Sequence, residues 1–256
     1  MKRNKMRLGV FNLCFNSSFK YVCIVIALGL ALQGLMFAFG MAGGTLGYLP
    51  YENDAHYPDS FEWIVRTSHL AWAYRGMLAA LMAVLFGTGR PGKSHPVMVI
   101  ERTGISHEQF MLTEFFYSWG CFFLSNIIET IFLLGLALVY INIVPGVDLK
   151  LVYAAAIRCP LLYSLVMPHN GLGMLWRACH TFFMAFLAAY YSYIERRGGM
   201  PVAVIIAAVF TVFVAVPGAL GTDDEILTLS AMAMCVATLL FGAYILEGVH
   251  MEYEKK

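Results

Sequence analysis

Residues 89–126 read GRPGKSHPVMVIERTGISHEQFMLTEFFYSWGCFFLSN, and this stretch decides the fold. Pro96 suits the first position of a helix, because its missing N–H would have no partner there. Gly104 suits the end of the same helix, because glycine adopts the left-handed conformation without a Cβ penalty. The stretch therefore predicts a short helix over residues 96–103, placed between two long apolar segments.

A second, much longer helix follows at once. Ser106 and Gln109 have the spacing of a capping box, which predicts that this helix begins at His107. The sequence then stays apolar to about Ile141. A helix of that length measures about 50 Å, well beyond a hydrocarbon core of about 30 Å. Its first turns are expected to project out of the membrane.

The short helix carries apolar residues that need to be covered. They could lie on the bilayer surface, pack under the membrane helices, or dock to another protein. A short helix joined by a tight turn to an over-long helix suits the receipt of force from a soluble partner. The candidate docking residues are Pro96, Val97, Met98, Val99, Ile100, Glu101, Arg102 and Gly104.

The composition indicates a membrane protein. The 256 residues are 60% hydrophobic and 13% charged, with a mean hydropathy of +0.70. A soluble domain has a charged fraction of about 25%. Several apolar runs exceed the roughly 18 residues that cross a bilayer. We therefore predict an all-α polytopic membrane protein with one transmembrane domain over residues 1–256. The net charge of +1 gives no support to nucleic-acid binding.

The charges of the loops predict the orientation. Residues 45–63 are acidic and aromatic and lack Lys and Arg, so this loop is expected outside. The basic loops around Arg90 and Arg196 are expected inside, as are both termini, in a plasma membrane. Six spans are predicted, at about residues 21–44, 66–87, 110–141, 172–194, 200–216 and 226–246.

Two further segments leave alternatives open. Residues 1–20 are basic with apolar residues at helical spacing, which predicts an amphipathic helix on the inner membrane face; a frayed tail is the alternative. Residues 149–168 carry Arg158 and Pro160 at their middle, and a lipid-facing span should avoid a central arginine. We predict a re-entrant or interfacial helix there. A full span, making seven in all, is the alternative.

Three charged residues fall within the predicted spans, namely Arg75, Glu129 and Arg177. An unpaired charge in the bilayer costs about 2.5–3.5 kcal/mol on insertion scales, so each needs a partner or water. Arg75 and Glu129 have similar predicted depths and could form a salt bridge. Contact with a substrate and coupling to protons are the other readings.

Other chemistry finds no support in the residue pattern. The seven histidines and six cysteines show no spacing typical of a metal site, so no metal is predicted. The chain also lacks the Gly-x4-Gly-Lys-Ser/Thr motif that holds ATP phosphates in a P-loop. We predict that the chain is not itself an enzyme and that any ATP hydrolysis belongs to a partner.

The predicted arrangement resembles the membrane subunit of ABC-2-type exporters. The resemblance rests on six spans with inside termini, on a basic amphipathic start, and on the loop HPVMVIERTGISHEQFMLTEFF at residues 95–116. That loop is similar to the family's coupling-helix region before span three. Two features depart from the family: Glu114 stands where members often carry a lysine, and the segment 149–168 is additional.

The resemblance implies a mechanism. A separate ATPase chain, holding ATP and Mg, would bind below the coupling helix 96–103, and a second permease chain would complete the pathway. The substrate would be an amphipathic peptide, a drug or a lipid-like molecule moved out of the cell. An ion-coupled secondary transporter that uses Arg75 and Glu129, or a non-transporting accessory subunit, remains the alternative.

Overall fold

The computed structural model describes residues 2–42, 61–88, 107–144, 171–196 and 199–215, with the single residues 150, 161, 233, 236 and 240. All regular structure in these ranges is helical, without a strand, and the predicted all-helical class is confirmed. Six helices lie in them: α1 (Lys2–Met41), α2 (Phe61–Thr67), α3 (Leu70–Phe86), α4 (His107–Ile143), α5 (Gly171–Arg196) and α6 (Val202–Val214).

Helix α1 is continuous over 40 residues. The sequence predicted a surface helix over residues 1–20 and a span from residue 21, and the structure corrects this division. Buried residues recur along one face of the helix at helical spacing over residues 10–37: Val10, Cys14, Ser18, Val22, Ile26, Gln33 and Phe37. This stripe packs against α3 and α4. Because one packing surface holds both halves, the helix has no reason to bend between them.

Helices α2 and α3 form a pair bent by 52°, where the sequence predicted a span over residues 66–87. The bend lies at His69, whose φ of 53° is left-handed and interrupts the helix. The hydroxyls of Thr67 and Ser68 donate to the carbonyls of Trp63 and Ile64 just before it. Such bonds to the preceding turn favour helix bending.

Helix α4 covers the 37 residues from His107 to Ile143, and the capping residue Ser106 that the sequence predicts lies outside the described residues. It packs against α1 and α5, and α5 in turn packs against α3 and α6. Aromatic rings fill these contacts. The rings of Phe115 and Phe182 meet edge to face at 4.6 Å, and those of Phe86 and Tyr191 stack at 4.2 Å.

Two of the described helices are long and apolar enough to cross a membrane, over Gly9–Met41 and Gln109–Ile143. The bent pair α2–α3 would make a third. Only 22% and 28% of the most apolar stretch of the two long helices is buried. Large apolar side chains such as Leu28 and Ile131 therefore face outward. An apolar surface of this extent needs a cover, and lipid provides one.

Several predicted segments lie outside the described residues. They are the short helix 96–103 with its docking residues Pro96 to Gly104, the segment 149–168 apart from Lys150 and Leu161, and the predicted span 226–246 apart from residues 233, 236 and 240.

Candidate functional site

A chain of hydrogen bonds crosses the interior between α3, α4 and α5. The hydroxyl of Tyr74 donates to Asn126 Oδ1 at 2.8 Å, and Asn126 Nδ2 donates to Thr181 Oγ1 at 3.0 Å. The Thr181 hydroxyl then donates to the backbone carbonyl of Arg177 at 2.8 Å. Polar groups on three helices are thereby joined inside an otherwise apolar bundle.

Helix α1 joins this network one turn further along α4. Gln33 Nε2 donates to Glu129 Oε2 at 3.1 Å. Both side chains are fully buried. The bond links α1 to α4 at a depth where each is surrounded by apolar sequence.

Helix α6 joins it through backbone carbonyls. Arg177 Nη1 donates to the carbonyl of Ala215 at 3.4 Å, and its guanidinium lies over the Tyr74 ring at 5.7 Å. His180 Nε2 donates to the carbonyl of Thr211 at 2.9 Å. The polar network, defined by Gln33, Tyr74, Asn126, Glu129, Arg177, His180 and Thr181, thus touches α1, α3, α4, α5 and α6.

The structure separates two of the charges that the sequence placed together. Arg75 lies with its guanidinium 4.8 Å from the centre of the Trp72 ring, beside a groove of about 650 Å³ between α3 and α6. Glu129 takes its bond from Gln33, and the cation close enough to act on its charge is Arg177. The predicted Arg75–Glu129 salt bridge is therefore wrong. Successive helical residues point about 100° apart, so when Tyr74 faces α4, Arg75 faces α6.

A second polar contact joins the N-terminal end of α4 to the C-terminal end of α5. Arg196 Nη1 lies 3.1 Å from Glu114 Oε2, and both side chains are fully buried. The guanidinium of Arg196 also covers the ring of Phe110 at 4.3 Å. This buried ion pair fixes two antiparallel helix ends to each other.

The sequence reasoning missed most of these residues. It singled out Glu129 and Arg177 because they are charged, but not the neutral Gln33, Tyr74, Asn126 and Thr181. Neutral polar side chains inside apolar runs were the available signal, since such groups need partners within the bundle. The sequence also contained a signal for the Glu114–Arg196 pair. Glu114 stands near the start of one long helix and Arg196 stands at the end of the next. Such positions meet when the two helices are antiparallel neighbours.

The described residues hold no group of three or more His, Cys, Asp or Glu side chains able to bind a metal ion. The network instead supplies donors and acceptors that fix the relative rotation of five helices. A comparison of the chain with models of known protein families, with curated proteins and with solved structures found no match.

Proposed function

We propose that this chain is the membrane-spanning permease subunit of an ATP-binding cassette exporter. One observation carries the proposal: α4 is longer than a bilayer is thick, and its N-terminal end is fixed to α5 by a buried ion pair. The 37 residues of α4 measure about 55 Å, so roughly 25 Å extends beyond a hydrocarbon core of about 30 Å.

A helix of this kind transmits displacement from outside the bilayer to its interior. Glu114 lies near the N-terminal end of α4 and is bonded to Arg196 of α5. Further along the same helix, Asn126 and Glu129 bond to α3, α5 and α1. A push on the N-terminal end of α4 would therefore move the groups that set the rotation of the other helices.

The segment that immediately precedes α4 is the proposed receiver of that push. It is the predicted coupling helix 96–103, and Pro96 to Gly104 form the proposed contact with a separate ATPase chain. That partner would bind ATP and Mg and would hydrolyse the nucleotide. A second permease chain, identical or related, would complete the pathway, and both termini would lie in the cytoplasm.

The proposed substrate is an amphipathic peptide, a drug or a lipid-like molecule. The groove between α3 and α6 supports this class, because Arg75 is joined in its lining by apolar and aromatic side chains such as Trp72, Val209 and Phe213. A cavity of about 650 Å³ lies within the range of small-molecule sites.

The test is purification of the tagged chain with its ATPase from its native membrane, followed by ATPase assay in lipid vesicles. We expect the ATPase to co-purify and its activity to rise with the permease present. Ile100→Asp should abolish co-purification because it places a charge in the apolar contact, whereas the matched Ile100→Leu should retain it. Absence of any ATPase from the wild-type preparation would contradict the proposal.

The alternative is a secondary transporter driven by an ion gradient. Its support is Glu129, a buried carboxyl whose Oε1 has no hydrogen-bond partner among the described residues. Uptake into vesicles under an imposed pH gradient, with no nucleotide present, would favour this function over the exporter. Co-purification without transport in either assay would indicate an accessory subunit.

A further inference from the structure

Glu129 and Gln33 form an incomplete pair. Gln33 Nε2 donates to Glu129 Oε2, and this is the single hydrogen bond between the two side chains in the described structure. The remaining oxygens, Gln33 Oε1 and Glu129 Oε1, are both buried and have no hydrogen-bond partner among the described residues. Both atoms are acceptors, so neither can satisfy the other without an additional hydrogen.

The surroundings do not supply a direct counter-charge. Among the described residues, Gln33 from α1 bonds to Glu129, and Tyr74 from α3 and Arg177 from α5 lie near enough to interact with its charge. Tyr74 is bonded to Asn126, and Arg177 is bonded to the carbonyl of Ala215. Among the described residues, no ion pair within 4.0 Å reaches Glu129. A charged carboxylate in this place would be supported by one amide hydrogen bond and by the more distant field of Arg177.

The other buried glutamate of α4 also has one oxygen, Glu114 Oε1, without a partner among the described residues, but it differs from Glu129 in its counter-charge. Glu114 is as fully buried as Glu129, but Arg196 lies 3.1 Å from it. A direct cation stabilises the charged form of a carboxyl, and burial without one stabilises the neutral form. Two glutamates of one helix are therefore expected to differ in protonation.

We infer that Glu129 carries a proton on Oε1 and that this O–H donates a hydrogen bond to Gln33 Oε1. The carboxylic acid and the primary amide then exchange two hydrogen bonds, N–H to Oε2 and O–H to Oε1, in one cyclic pair. The second bond needs the amide and carboxyl planes to be aligned, and the terminal torsions of glutamate and glutamine are broad enough to permit this alignment. The added proton satisfies both buried oxygens and removes the charge from the bundle.

This inference does not depend on the proposed exporter function. It assigns a bound proton to the resting structure of the chain, as the group that completes the contact between α1 and α4. The chain can hold this proton with or without an ATPase partner.

Infrared spectroscopy of the full chain in lipid bilayers at neutral pH tests the inference. Exposed carboxyls are ionised at that pH, so a carbonyl stretch of a protonated carboxylic acid must come from a buried one. We expect this band in the wild type, and we expect ¹³C labelling of glutamate, but not of aspartate, to shift it. Absence of the band in the wild type would overturn the inference, whatever the variants do.

Variants assign the band to one residue. Glu129→Gln should remove it, and the matched control Glu114→Gln should leave it unchanged. Gln33→Leu should shift the band, because the acid then loses its amide partner. A band that survives in Glu129→Gln or disappears in Glu114→Gln would overturn the assignment. Should either glutamine variant fail to fold, the ¹³C-glutamate shift of the wild-type band and the shift of that band in Gln33→Leu still test the assignment.

Discussion

At the scale of single residues, Gly29 determines how closely α1 approaches α3. A Cβ at this position would lie 2.8 Å from the Cβ of Met77, nearer than side chains tolerate. We expect Gly29→Ala to lower the free energy of unfolding by about 1–3 kcal/mol, the usual cost of overpacking. The measurement is thermal unfolding of the purified chain in detergent micelles.

Gly34→Ala is the matched control on the same helix. Its Cβ would lie 3.6 Å from the Phe132 ring, which is an ordinary contact. The melting temperature of this variant should stay close to that of the wild type. If both variants lowered the melting temperature equally, the distance between α1 and α3 would not be determined by the missing side chain at Gly29.

His69 holds an unfavourable backbone conformation at the bend between α2 and α3. Its φ of 53° costs an ordinary L-residue about 1–2 kcal/mol, whereas glycine adopts it freely. His69→Gly and His69→Ala both remove the imidazole. The difference in stability between the two variants therefore reports the cost of the left-handed backbone conformation alone. We expect the glycine variant to be more stable than the alanine variant by about 1 kcal/mol in chemical denaturation. A more stable alanine variant would mean that the bend does not persist in solution.

At the scale of elements, the ion pair between α4 and α5 gives a test of coupling. Removing one member leaves the other charge buried, which costs about 3–5 kcal/mol, while replacing both by apolar residues costs far less. Glu114→Leu and Arg196→Met should each destabilise the chain strongly, and the double variant should be more stable than either. Thermal unfolding of the wild type, the two single variants and the double variant measures the coupling energy. If the stability losses of the two single variants simply added in the double variant, a direct ion pair would be contradicted.

Local signals mark some helix boundaries but not the helix interruption at His69. Pro201, the predicted start of a span, stands directly before α6. No glycine or proline, the residues that commonly mark a helix break, stands at the bend at His69. The bend depends instead on hydroxyl bonds and on packing against α1 that no local pattern contains.

The candidate site was predicted only in part. The charges of Glu129 and Arg177 stood out in apolar sequence, but their partners did not. Partners depend on the rotation of each helix, and the rotation is set by contacts far apart in the chain, such as Gln33 with Glu129. The salt bridge expected between Arg75 and Glu129 failed for this reason, since equal depth does not place two side chains on facing sides.

At the scale of the whole molecule, the outward apolar faces predict immersion in lipid. In a background without the six native cysteines, a spin label at Ile131→Cys should collide with oxygen and avoid a water-soluble nickel complex. Ile131 is 64% exposed on α4, and Met200, 90% exposed between α5 and α6, provides the comparison. A label at Met200→Cys should collide with the nickel complex. Equal aqueous access at both positions would contradict a bilayer around α4.

The N-terminal halves of α1 and α4 are joined side by side. The hydroxyls of Ser18 and Tyr117 are 2.8 Å apart, and the ring of Phe11 meets the ring of Tyr117 at 5.7 Å. A displacement of α4 at this level would have to carry α1 with it, because a hydroxyl pair and a ring contact join the two helices. In any conformational change, α1 and α4 are therefore expected to travel as one rigid unit.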